Sequence, residues 1–350
     1  MGTRSAGRNL PSTDVRVDWG HILDVPRVDW RGDGTEVQVA DHKVIITIAP
    51  TGGMADKTVT PHLPTQPEEI AEDVVRCWEA GASIAAIHAR RAEDDGATCN
   101  PEIYSHINSL IRQRSDIIIN NSTGGGISGD MITQLPDGRR EISFAQRIQG
   151  TQAGAEICTF DPQMQCMHRG DLELLMDTSW SRCIELATAM KDAGIKPEWE
   201  VMSLSDLLWV KDLIGLGFDQ PPYYVNIVLG TDKLMSGATP YTPKNLHRFV
   251  EDLPDQSVFG VSAIGPAQLP ASVHSLILGG HARVGLEDNI YYERGRLATN
   301  VELVERMVRI IGELNLEIAT PSEAREILGL AASRVTDSPA LPMTVTTSSS

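Results

Sequence analysis

The chain has 350 residues, with 30 Lys plus Arg against 47 Asp plus Glu, a formal charge of -17, 41% hydrophobic residues and only 5% aromatic ones. This suffices for one large aliphatic core or two ordinary ones. No stretch reaches the roughly 20 uncharged apolar residues of a membrane span, which excludes a transmembrane protein, and so acidic a chain repels phosphate backbones, which argues against nucleic acid as a partner.

Residues 1–42 are polar and Pro/Gly-punctuated, lack the apolar run of a secretory leader, and carry RVDW twice, at 16–19 and 27–30. They are expected to form an arm on the body or on a neighbouring subunit. From 43 onward, apolar runs alternate with amphipathic segments. VIITIA (44–49) reads as a buried strand, and the helix after it is expected to start at a capping box of Thr65 and Glu68, with Pro67 in its first turn. Ile70, Val74, Cys77 and Trp78 give that helix one face, and Gly81 closes it. SIAAIHA with PEIYSHINSLIRQR, then DIIINN, follow in the same style. AEICTF precedes a helix expected around LELLMDTSWSRCIELATAMKDAG. PEWEVMS with DLLWVKDLIGLG, YYVNIVLG with PKNLHRFVEDL, SVFGVSAI, and ARVGL with NVELVERMVRIIGEL complete the series. Eight strands with mostly helical connections predict a (β/α)8 TIM barrel over 43–332, with a doubly wound open sheet as competitor. TPSEAREILGL adds a helix with Thr320 and Glu323 as its capping box, and the Ser/Thr/Pro-rich stretch 333–350 is expected to be disordered. The five cysteines (Cys77, Cys99, Cys158, Cys166, Cys183) fit neither a disulfide framework nor a CxxC zinc site, so reduced thiols in a cytoplasmic protein are expected.

In such a barrel, chemistry belongs at the C-terminal strand ends. His88 ends the second strand; Ser122, Thr123 and Gly124 to Gly126 follow the third; Thr159 and Asp161 close the fourth; Glu200 lies in the fifth; Arg283, Glu287 and Asp288 follow the eighth. Gly124, Gly126 and Gly129 spell GxGxxG, but after the third strand and shortly before Pro136, Asp137 and Gly138. A backbone nest for a carboxylate or phosphate, or a plain tight turn, suits that context better than a dinucleotide fingerprint. Arg283, Gly285 and Glu287 alternate toward one face, either as an anion clamp or as a structural ion pair. A lone His88 reads as a core histidine; paired with Glu287 it is a candidate metal ligand.

The runs IITIAPTGG, TPHLPTQPEEIAEDVVRCWEAGAS, IHAR, IRQRSDIIINNSTGGG, IVLG followed by MSG, GGHARVGLEDNIYY and ATPSEAREILGL resemble the β-keto acid cleavage enzymes, from about 43 to 330. The resemblance implies a (β/α)8 barrel, usually a homotetramer, that uses a divalent metal, typically zinc. It also implies reaction of a β-keto acid with acetyl-CoA to give acetoacetate and an acyl-CoA. It assigns Glu287 and His88 to the metal, Asp288 to the general base, Arg283 to orienting that base, Ser122 and Thr159 to positioning substrate, and Glu200 to the fifth-strand glutamate. Thr123 and Gly124 are expected beside Ser122 in the substrate-binding loop.

The sequence departs from the family pattern at central positions. Ala86 stands where the first histidine of His-x-His is expected, Met54 where an acidic residue contacts an amino substrate, Pro266 for an arginine and Asp161 for an asparagine, and VMSLSD follows Glu200. A substitute ligand is expected from His62, Cys158, Asp161 or the Cys166-x-His168 pair, and Met54 predicts an apolar or neutral substrate end. Lys57, Arg90, Arg91 and Lys233 are the candidates for a local basic patch toward CoA. Two further readings accompany this one: an acetyl-CoA-independent carbon–carbon lyase or hydrolase, and a non-catalytic ligand-binding barrel.

Overall fold

The strands are short and rich in Ile and Val, and they are buried on both faces, as parallel strands covered by helices must be. They are β1 (Ile46–Ile48), β2 (Ile84–Ile87), β3 (Ile118–Asn121), β4 (Ile157–Phe160), β5 (Lys196–Val201), β6 (Tyr223–Leu229), β7 (Ser257–Ala263) and β8 (His281–Val284). All pair in parallel with their neighbours. The sheet closes where β8 meets β1, with Arg283 opposite Thr47 and Val284 opposite Ile48, which rules out the open doubly wound sheet. The structure, a computed structural model, describes residues 43–169 and 172–331; the expected arm and disordered tail lie outside the described residues. Among these, no helix is long and apolar enough to cross a membrane.

Helices α1 (Pro67–Glu79), α2 (Pro101–Arg112), α3 (Phe144–Arg147), α4 (Trp180–Ala193), α5 (Leu204–Gly215), α6 (Pro243–Glu251), α7 (Gln268–Ile277) and α8 (Asn300–Glu313) follow the strands in turn, and α9 (Pro321–Leu328) comes last. The capping box of α1 sits one residue later than expected. Gln66 is the N-cap, and Glu69, rather than Glu68, accepts from the Thr65 and Gln66 N–H groups. The box of α9 uses Thr320 and Glu323 as expected. The sequence reading missed α7, because Pro270 falls inside it. In a first turn, though, the missing N–H would have had no intrahelical partner anyway.

A second difference shapes the functional end. Leu172–Asp177, expected to begin a helix, is instead a strand that pairs antiparallel with Met164–Arg169. Its side chains alternate between buried Leu174 and Met176 and more exposed neighbours, the period-two pattern of a half-covered strand. With Arg140–Ile142 and Ile132–Gln134 this hairpin builds a four-stranded sheet. At the other end of the barrel, Ile45, Ile84, Ile118, Ile157 and Tyr224 pack against Ala319, Ala324 and Leu328, so α9 and its approach seal the N-terminal strand ends. The C-terminal ends are left to form the mouth.

Candidate active site

A cavity of about 130 Å³ opens at the C-terminal strand ends, the position where this fold carries its chemistry. His88, Ser122, Gly124, Asp161, Glu200, Arg283, Glu287 and Asp288 all line it. Arg283 organises this wall. It points inward from β8 with its side chain 7% exposed, and its Nε donates to Asp288 Oδ2 at 3.0 Å. Its Nη2 reaches Asp288 Oδ1 at 3.2 Å and Glu287 Oε1 at 2.7 Å, and its Nη1 reaches Glu200 Oε1 at 3.3 Å. One guanidinium thus binds three carboxylates, using the fixed fork that lysine lacks.

The carboxylates divide by their surroundings. Burial pulls Glu287 upward, but Arg283 and His88 outweigh it and hold its carboxyl at about 2. Burial wins at Asp288, whose carboxyl is raised despite Arg283. Glu200 is pushed well above the usual range by burial and by neighbouring Asp161, against the opposing pull of Arg283. Burial also raises Asp161, against Arg147, and Glu198, whose carboxylate accepts from Asn120 Nδ2 at 2.5 Å.

These shifts set a pH profile. A carboxyl raised in the folded state takes up its proton at a higher pH than the unfolded chain does, so its contribution grows as pH falls through the raised folded value toward the ordinary carboxyl range. Each proton taken up contributes a slope of about 1.4 kcal/mol per pH unit. Glu287 acts in the opposite sense: its contribution is full above the ordinary carboxyl range and is lost as pH drops toward its folded value of about 2. The melting temperature is therefore expected to peak on the acid side of neutrality. A thermal-melt series that is flat or falls steadily from neutrality downward would contradict this reading of the cluster.

His88 and Glu287 are the expected metal pair. His88 Nδ1 donates to Gly125 O at 2.7 Å, which turns Nε2 toward Glu287 Oε1, 3.4 Å away. Glu287 Oε2 is buried and finds no hydrogen-bond partner among the described residues. The separation equals one edge of a tetrahedral site with bonds of about 2.1 Å, so two corners are in place. The third is missing: Ala86, on β2 two residues before His88, offers a methyl group. Among the described residues no group of three His, Cys, Asp or Glu side chains is placed to hold a metal. Of the expected substitutes, only Asp161 lines the cavity, and it faces Arg147 Nη2 at 3.5 Å; His62, Cys158, Cys166 and His168 do not line it. The residues present do not fit a resident zinc bound by three protein ligands.

Other expected residues are placed differently from the sequence reading. Thr159 Oγ1 accepts from Thr123 N at 2.9 Å, and Thr123 Oγ1 donates to Thr159 O at 2.6 Å. Both hydroxyls are spent tying β3 to β4, and neither lines the cavity. Ser122 does line it, as does Met54 at the rim. GxGxxG opens no α-helix; a short 3-10 turn at Gly129–Met131 follows, so no dinucleotide site forms. Gly126 instead allows close approach, since a Cβ there would overlap the Gly53 carbonyl.

The anticipated basic patch largely dissolves. Arg90 is buried and donates to the carbonyls of Gly52, Ala55 and Asp95, while Lys57 pairs with Glu69 and Arg91 with Asp94. Lys233 remains 93% exposed beside Asp232. Sequence reasoning missed Arg147, which is fully buried on α3 and donates to Thr123 O and to Thr178 Oγ1, each at 2.7 Å. Its only local signal is Ser143, the N-cap of that one-turn helix.

Comparison with known proteins identifies relatives along most of the described chain. A family profile described as beta-keto acid cleavage enzyme matches residues 43–330. A 3-keto-5-aminohexanoate cleavage enzyme of Acetoanaerobium sticklandii is 35% identical over 291 residues, covering 82% of this chain and 98% of that protein. A 3-dehydrocarnitine:acetyl-CoA trimethylamine transferase of Rhizobium meliloti is 30% identical over 307 residues, covering 83% and 97%. Among solved structures, a ternary complex of ObcA with C4-CoA adduct and oxalate superposes with a TM-score of 0.61 at 18% identity, over 77% of this chain and 68% of that one, a likeness of fold alone.

Proposed function

Because the chain belongs to the family of beta-keto acid cleavage enzymes, we propose that it is a transferase converting a β-keto acid and acetyl-CoA into acetoacetate and a new acyl-CoA. The observation that carries this reading is the set Arg283, Asp288 and Glu200 assembled at one wall of the mouth.

Asp288 takes the proton from the carbon between ketone and carboxylate. Its raised carboxyl makes it a stronger base than an exposed aspartate, and the two bonds from Arg283 fix its direction. Glu200, held neutral by burial and by Asp161, donates a hydrogen bond to the substrate ketone as negative charge grows there. Ser122 Oγ already accepts from Gly124 N, so its hydrogen is directed to another acceptor, the substrate carboxylate. The enolate carbon attacks the acetyl carbonyl and the CoA thiolate leaves. The thiolate then attacks the original ketone carbon, the bond between that carbon and the former enolate carbon breaks, and the proton returns from Asp288 to the acetoacetate carbanion.

The expected zinc has two ligands here, so no step is derived through it. Lys233, in sequence between cavity-lining Thr231 and Met235, is the exposed cation proposed to exchange its ion pair with Asp232, at 3.0 Å, for CoA phosphates. We place the enzyme in the cytoplasm, which suits five free cysteines, and, as the family resemblance implies, as a homotetramer.

The test is incubation with acetyl-CoA and a panel of β-keto acids, with and without added zinc or manganese, following acetoacetate. Asp288→Asn is expected to lower turnover at least about a hundredfold. Cleavage that proceeds equally without acetyl-CoA would replace the transferase reading by the lyase one, which the sparse basic surface favours.

A further inference from the structure

The reaction uses the polar lining of the cavity and leaves its apolar lining without a role. Five of the chain's 11 methionines line that cavity: Met54, Met167, Met176, Met202 and Met235. They come from separate stretches of chain, the turn after β1, both arms of the hairpin after β4, the end of β5 and the loop after β6. Four of them are between 3% and 7% exposed, and Met54 at the rim is 47% exposed. Isoleucines 127, 142 and 264 fill in between them.

This wall is built rather than incidental. The hairpin is fastened to the loop after β6: His168 N donates to Leu234 O at 2.9 Å, Ser236 N to Cys166 O at 3.0 Å, and Cys166 N to Ser236 Oγ at 3.1 Å. Met167 and Met235 lie directly opposite each other in this seam. The methionines therefore stand on a fixed frame, while their unbranched, polarisable side chains adapt to what they cover.

Resting on the transferase reading, we infer that the preferred substrates are β-keto acids with an aliphatic tail, and that this methionine wall selects them while tolerating several tail lengths. The keto-acid head occupies the polar wall and the tail lies along the methionines. By the yardstick that a dry cavity of about 150 Å³ takes a benzene ring, the cavity of about 130 Å³ holds roughly six non-hydrogen atoms, as many as the keto-acid head alone, so the tail runs on from there along the methionines toward Met54 at the rim. An ammonium group on that tail would give up its hydration against thioethers and methyls, which cannot replace it. Flexible methionine surfaces are how proteins accept a range of apolar partners.

The test has two arms. In the first, full-length protein with acetyl-CoA is given 3-oxo acids of about five, six and eight carbons beside 5-amino-3-oxohexanoate and 3-oxoadipate, and acyl-CoA formation is followed. The expected result is a kcat/KM that rises about threefold or more per added methylene, with the amino and dicarboxylic acids below every aliphatic acid. Met235→Ser is expected to flatten that rise. In the second arm, binding of the same acids is measured by calorimetry without acetyl-CoA. If no acid is turned over, the transferase reading fails while the binding order still decides this inference. Binding of the amino acid as tight as that of the eight-carbon acid overturns it, and so does an affinity that does not change with chain length.

Discussion

Replacing Arg283 with methionine is expected to cost the fold about 3–5 kcal/mol and to abolish turnover. The volume is nearly kept, so the loss comes from charge: Glu287 and Asp288 would remain buried without the guanidinium that pairs with both, and Glu200 would lose its donor. Breaking a buried pair by deleting one partner costs far more than the pair contributes, because the surviving charge stays out of water. On a barrel of this size the loss corresponds to a fall in melting temperature of roughly 5–8 °C. Adding Glu287→Gln to the methionine variant should restore part of it, since residues that share a partner do not act additively. The gap between parent and variant should also narrow at acid pH, where the orphaned carboxyls are neutral. Melts showing a loss under about 1 kcal/mol would mean that Arg283 does not hold this wall together.

The second large effect is a gain. Ala86→His places a third nitrogen two residues before His88, on the strand that already directs His88 toward Glu287. Zinc affinity is expected to rise by more than about a hundredfold, the scale at which even outer-sphere partners act. After dialysis against a weak chelator, elemental analysis should find about one zinc per chain in the variant and far less in the parent. A parent that keeps a full equivalent would show that two protein ligands suffice here, and would return the metal to the reaction scheme.

The barrel was legible because each strand is an uninterrupted apolar run, and such runs have one stable use between helices. The mouth was partly legible for the same reason: once strand ends are located, His88, Ser122, Arg283, Glu287 and Asp288 fall on the cavity without any knowledge of contacts. Direction and partner choice were not legible. Thr159 sits at a strand end like the others, yet its hydroxyl is taken by the Thr123 amide, a fact of how β3 and β4 meet. Arg90 looked like a phosphate contact and is instead a brace for the Gly52 turn. LELLMD reads with either a helical or an alternating period over so few residues, and pairing with Met164–Arg169 decides between them. The methionine wall has no sequence signature at all, since its members share no spacing. Arg147, the buried counter-charge to Asp161, lies on a one-turn helix outside any strand end.

The seam between the hairpin and the loop after β6 also bears on how independent the two segments are. A lid hinged on one segment swings alone, but here the hairpin's backbone is bonded to Leu234 and Ser236. Neither piece can lift without breaking those bonds or taking the other along. Two segments far apart in the chain thus act as one body along this side of the mouth, and a change that loosens either is transmitted to the other.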